Sequence, residues 1–94
     1  MTNGEFKQLY NAGNLENISE WVHKVTNTFG ETLGYSEIVC CMYRGKYYIR
    51  ISKLNGLSRL YHEELRSTFV KEFDNKDSAN RYFKKVKSDG YERR

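Results

Sequence analysis

Glu37-Ile38-Val39-Cys40-Cys41-Met42-Tyr43-Arg44-Gly45-Lys46-Tyr47-Tyr48-Ile49-Arg50-Ile51-Ser52 decides the fold. On either side of Arg44-Gly45 the residues alternate with a period of two, the mark of a strand. A two-residue loop at Arg44-Gly45 sets Met42 opposite Tyr47, Cys40 opposite Ile49 and Ile38 opposite Ile51. All six are apolar or aromatic and share one face, which is read as the core. Tyr43, Lys46, Cys41, Tyr48, Val39 and Arg50 share the other. Turn length and face chemistry agree, so a β-hairpin is expected here. A three-residue loop would pair Tyr43 with Tyr47 and also give an apolar face, which leaves the register less fixed than the hairpin itself.

Working towards the N-terminus, Leu15, Ile18, Trp21, Val22, Val25 and Phe29 fall at intervals of three and four. That spacing predicts a helix ending at Gly30, with His23 facing away from its apolar stripe. Before it, Thr2-Asn3-Gly4-Glu5 reads as a capping box opening a short helix with Phe6, Leu9 and Tyr10, broken at Ala12-Gly13-Asn14. The two helices are expected to act as one apolar-faced unit covering a sheet.

Working towards the C-terminus, Asn55-Gly56 is the strongest turn signal in the chain. Leu57–His62 then suits a third strand, although Leu57, Leu60, Tyr61 and Leu65 would also suit a short helix. Arg66–Phe73 reads as a further strand, with Phe69 and Phe73 on one side and Val70 on the other. Asp74-Asn75-Lys76-Asp77 caps a last helix with Ala79, Phe83 and Val86 inward and Gly90 as its stop. The expected fold is α+β: an antiparallel sheet of three to four strands, two N-terminal helices and one C-terminal helix. It forms a single domain over residues 1–90, with 91–94 as a loose tail.

The 94 residues carry a net charge of +4, unevenly spread. Residues 1–38 hold five acids against two bases, whereas residues 39–94 hold fourteen bases against seven acids. Such a split suits a basic face that meets phosphates or an acidic protein surface. The two cysteines, Cys40 and Cys41, are adjacent and point to opposite faces of a strand, so they do not bridge to each other. The absence of a disulfide framework suits a reducing compartment, and no signal peptide or membrane-length apolar run is present; a cytoplasmic protein is expected.

Catalytic equipment is not evident. No C-x-x-C spacing accompanies Cys40, Cys41, His23 and His62, so no metal or other cofactor is expected. His62-Glu63-Glu64 lacks the second histidine of a zinc-protease motif, and Gly30, Gly34 and Gly45 are separate turn residues rather than a phosphate loop. A non-enzymatic binding protein is therefore expected. Its candidate contacts are Tyr43, Arg44, Lys46, Tyr48 and Arg50 on the hairpin and Arg81, Lys84 and Lys85 on an outward stripe of the last helix. Bases interleaved with aromatics suit phosphate contact with base stacking, and equally suit a protein interface. If a helix covers the outer face of the hairpin, the contact surface moves to the last helix.

Helix, three strands, helix is also the order of double-stranded RNA-binding domains. That family opens its second helix with lysines. Here the stretch opens Asp77-Ser78-Ala79, so those contacts are not carried over. The run Cys41–Arg50, followed by Phe69-Val70-Lys71-Glu72-Phe73-Asp74 and a short helix with Phe83, resembles small phage-encoded anti-defence proteins, including anti-CRISPR inhibitors. The resemblance implies an inhibitor that occupies a surface on a nucleic-acid-handling host protein or ribonucleoprotein complex. Many such inhibitors are acidic DNA mimics; this chain is basic, and only its N-terminal third is acidic. The alternative expectation is a basic nucleic-acid-binding accessory domain. No membrane partner is expected, and an open sheet edge makes a homodimer an option.

Overall fold

A computed structural model describes all 94 residues, Met1–Arg94. The order is α1 (Asn3–Asn11), β1 (Glu16–Thr26), β2 (Thr32–Tyr43), β3 (Lys46–Leu57), β4 (Glu64–Phe73), α2 (Lys76–Val86) and β5 (Tyr91–Arg93). The strands form one antiparallel sheet in the order β4-β3-β2-β1-β5. The central hairpin has the expected register, with Met42 opposite Tyr47, Cys40 opposite Ile49 and Ile38 opposite Ile51. Arg44 (φ 50°) and Gly45 (φ 76°) are both left-handed, as a type I′ two-residue turn requires.

The expected count of three helices and three to four strands is corrected to two helices and five strands. Residues 16–26, expected in the second helix, are strand β1, paired along most of its length with β2. The reason lies in the layering. Helix α1 covers one face of the sheet and α2 the other, so a strand here needs apolar residues on both sides. Trp21 packs on the α2 side, its neighbour Val22 faces the other way, and a bulge at Asn17/Ser19 shifts the register, so the simple alternation that marks a strand is lost. The β-branched Ile18, Val22, Val25 and Thr26 favour the extended backbone. Gly30 (φ 79°) is a hairpin-loop residue, not a helix cap. The loop is held by Asn27, whose Oδ1 accepts from the amides of Phe29 (2.9 Å) and Glu31 (3.0 Å).

Asn55-Gly56 does not reverse the chain. It lies inside β3, where Asn55 is the extra residue of a bulge between Leu54 and Gly56. Gly56 has φ 147°, and a bulge exploits glycine's freedom just as a turn does. The reversal comes later, in Ser58–Glu63: the Ser58 amide donates to the Glu63 carbonyl (2.8 Å), and His62 takes φ 53°. Leu57–His62 is thus neither the third strand nor a short helix. The strand expected at Arg66–Phe73 is present within β4.

Both helices start as their sequences direct. The Thr2 hydroxyl accepts from the Glu5 amide (3.1 Å), and Glu5 returns a bond to the Thr2 amide (3.3 Å). Asn75 caps α2 by accepting from Ser78 (2.9 Å). Helix α2 ends at Val86, ahead of Gly90. Gly90 serves a different need: a Cβ there would lie 2.4 Å from Nε2 of His23, so any other residue would have to push the imidazole aside. Tyr91–Arg93, expected as a loose tail, pairs with Trp21, Val22 and His23 as β5.

Two small cores share the sheet. Phe6, Val39, Cys41 and Tyr48 are buried beneath α1. Ile38, Ile49, Ile51 and Ala79 are buried beneath α2, flanked by Trp21, Phe73, Phe83 and Tyr91. Each buried large side chain contributes about 1.5–3 kcal/mol. No helix is long and apolar enough to cross a membrane.

Candidate binding surface

Helix α2 turns Ala79, Phe83 and Val86 onto the sheet, as the three- and four-residue spacing dictates. Its opposite side therefore carries Arg81, Lys84 and Lys85, while Lys76 and Asn80 lie on its flank and border a recess against the sheet with Ile18, Ala79 and Phe83; all five are exposed. None of these four cations forms an ion pair. Arg81 makes only a long bond to the Ser78 hydroxyl (3.5 Å) and lines a shallow recess with Asp77, Asn80 and Lys84.

Half-buried aromatic rings flank the helix and hold further cations over their faces. Trp21 packs against Phe83 with ring centroids 5.5 Å apart. Lys87 Nζ lies 4.9 Å from the Trp21 ring centroid and Arg93 Cζ 6.0 Å. Tyr82 packs on Phe73 at 5.2 Å and carries Lys71 Nζ at 5.4 Å. Burial pushes the Tyr82 and Tyr91 hydroxyls above their ordinary value. Cations resting on aromatic faces are held by the ring's negative face without a carboxylate partner. The α2 side thus presents seven unpaired cations, Lys71, Lys76, Arg81, Lys84, Lys85, Lys87 and Arg93, set among rings.

The eight residues expected to bind fall on opposite sides of the sheet. Arg81, Lys84 and Lys85 are on the α2 side. The hairpin's outer face lies under α1 instead of facing solvent. Tyr48 is buried, and its hydroxyl donates to Glu72 (2.6 Å). Arg50 is half-buried, donating to Asn3 Oδ1 (2.8 Å) and lying 3.9 Å from Glu37. Lys46 lies 3.7 Å from Glu72 and 3.8 Å from Asp74. Tyr43 packs against the α1 core, with Arg44 over its ring at 5.1 Å. Only Arg44 of this group is both exposed and free of a carboxylate.

A cleft of about 230 Å³ opens beside α1, lined by Phe6, Tyr10, Glu20, Glu37, Arg50 and Arg94 among others. Apart from Lys7, its charges are paired with one another. Arg94 pairs with Glu20 (3.8 Å) and Glu37 (3.5 Å), and the Tyr10 hydroxyl donates to Glu20. The cleft is therefore a poor match for the basic side opposite.

Lys71, Lys76, Lys87 and Arg93, together with Trp21 and Tyr82, were not among the expected contacts. Lys76, Asn80, Lys84 and Lys87 follow one another at helical spacing, a signal that would have found two of them. Trp21 could not be placed while β1 was read as a helix. No family model, curated protein or solved structure matches the chain.

Proposed function

We propose that the chain is a non-enzymatic binding protein that docks its α2 side on nucleic acid. The observation that carries this reading is the row of unpaired cations along α2, set among the rings of Trp21 and Tyr82. Phosphate neutralisation supplies affinity, and each lysine or arginine at a phosphate releases a counterion. The rings hold Lys71, Lys87 and Arg93 in place, so these cations meet a phosphate already positioned. The covered thiols support a role without nucleophilic chemistry. Burial raises the Cys40 thiol and pushes that of Cys41 up to about 12, far from a reactive thiolate.

Contact with a protein of a nucleic-acid-handling defence complex, the inhibitor role implied by the anti-CRISPR resemblance, is a second function with its own support. Phe29 is 86% exposed at the β1–β2 loop, and Leu60 (83%) and Tyr61 (75%) lie in the β3–β4 loop at the same end of the sheet. Apolar tips of that kind suit a protein groove.

One experiment separates the two. Labelled duplex and single-stranded probes are titrated at several salt concentrations against the wild type and the Arg81→Glu/Lys84→Glu/Lys85→Glu variant. Nucleic-acid docking predicts a log–log salt slope that loses about 0.7–0.9 for each phosphate contact removed, with the lower figure for single strands. No shift at low salt, together with defence-effector capture abolished by Phe29→Asp and Tyr61→Asp, would instead establish the protein contact and sink the first reading.

A further inference from the structure

The two edges of the sheet are built differently. One edge is β1 with β5 laid against its middle. It is irregular at Asn17/Ser19 and at Val25/Thr26, and its outermost strand is three residues long with Glu92 and Arg93 exposed. Bulges, short strands and charges are what discourage a sheet edge from recruiting another strand. The other edge is β4, which also carries exposed charges at Glu64, Arg66, Lys71 and Glu72 but has ten residues and no proline. The bulge in its ladder sits on the β3 partner, so β4 itself runs regularly. Along it, Leu65 is 50% exposed and Phe69 42%.

Alternation places Leu65, Ser67, Phe69, Lys71 and Phe73 on the α2 side, and Arg66, Thr68, Val70 and Glu72 on the α1 side. A twofold axis normal to the sheet at Phe69 would bring two copies of β4 together antiparallel. Each copy then sets Arg66 opposite Glu72 of the other, Leu65 opposite Phe73, and Phe69 opposite its own equivalent. Opposite charges meet on one face, and on the other apolar groups meet at Leu65/Phe73 and Phe69/Phe69 with Ser67 opposite Lys71 between them; charge and apolar pairs of this kind stabilise a sheet. Neighbouring registers lose this. An axis at Thr68 sets Glu64 against Glu72 and Leu65 against Lys71. An axis at Val70 sets Phe69 against Lys71 and Phe73 against Ser67.

We propose that β4 is a self-association edge that pairs with β4 of a second copy in the Phe69-centred register, giving a continuous ten-stranded sheet. The axis runs normal to the sheet, so both α2 helices lie on the same side of the assembly. The proposal stands on the edge alone and does not depend on what α2 binds.

Sedimentation equilibrium of the wild type over a wide concentration range should show a species of twice the 11.2 kDa chain mass. Arg66→Glu or Glu72→Arg alone should weaken association about tenfold, and the double exchange should restore most of it. Circular dichroism checks that each variant is folded. Register is read separately by oxidative cross-linking, because directly opposed Cα atoms sit about 4.5–5.5 Å apart, within disulfide reach. Phe69→Cys should link to itself. Ser67→Cys should link only when mixed with Lys71→Cys. A chain-mass species at every concentration with no Phe69→Cys link overturns the proposal, and self-linking of Ser67→Cys overturns the register.

Discussion

The two faces of the sheet treat charge in opposite ways. On the α1 side, four cations are matched to carboxylates, Lys46 to Glu72 and Asp74, Arg50 to Glu37, Arg66 to Glu64, and Arg94 to Glu20 and Glu37, while Lys7 and Arg44 are not. Side-chain hydrogen bonds from Tyr48, Arg50 and Arg66 tie the same face together. On the α2 side there is no ion pair, and cations rest on rings or project from the helix. Exposed ion pairs contribute little to stability, so the contrast does not make one face much the firmer. It does decide where an anion can dock. At these four cations a phosphate would have to displace a carboxylate, whereas along α2 it meets a whole row of charge that is already free.

That contrast can be broken first from the α1 side. Phe6 is 2% exposed and sits at the centre of its core with Val39, Cys41 and Tyr48. Phe6→Ala should lower the unfolding free energy by about 3–5 kcal/mol in urea titration, while leaving the salt slope of binding unchanged under conditions where the variant is folded.

The second test uses the Tyr48–Glu72 bond. Donation to Glu72, aided by burial, pushes the Tyr48 hydroxyl up to about 12. Accepting that bond, with Lys46 nearby, holds the Glu72 carboxyl below its ordinary value. A raised phenol contributes stability in full below its unfolded value of about 10 and loses it as pH rises through the folded value. A depressed carboxyl contributes in full above its unfolded value and loses it as pH falls through the lowered one. Tyr48→Phe should therefore lower the urea midpoint by a constant amount between about pH 5 and pH 10, and the deficit should shrink outside that window.

The smallest effect is the sharpest discriminator. The Arg81→Glu/Lys84→Glu/Lys85→Glu variant should change unfolding free energy by no more than about 0.5 kcal/mol per site, because the three side chains touch no core. A large loss would mean that α2 uses these residues for its own stability.

What could be read in the sequence was what local rules decide. The hairpin register follows from the alternation around Arg44-Gly45, and the starts of both helices follow from Thr2, Glu5 and Asn75. Strand β1 was not legible, because a bulge at Asn17/Ser19 and the opposite-facing Trp21 and Val22 break the alternation and leave apolar residues at spacings that mimic a helix. Asn55-Gly56 misled because bulges and turns favour the same residues. Strand β5 depends on pairing Tyr91 with the distant His23, which no local pattern signals. For the contact surface, Arg81, Lys84 and Lys85 were legible because a helix fixes which side faces out. Tyr48 and Arg50 were not, since their exposure depends on where α1 docks.

Cys40 and Cys41, neighbours in the chain, lie in different cores, Cys40 against the α2 cluster and Cys41 within the α1 cluster. The molecule thus carries one native reporter for each helix. In refolding followed by pulsed alkylation, Cys41 should become protected when α1 settles on the hairpin and Cys40 when α2 does. Mass spectrometry of the labelled intermediates would give the order in which the two layers are laid down, with no probe introduced.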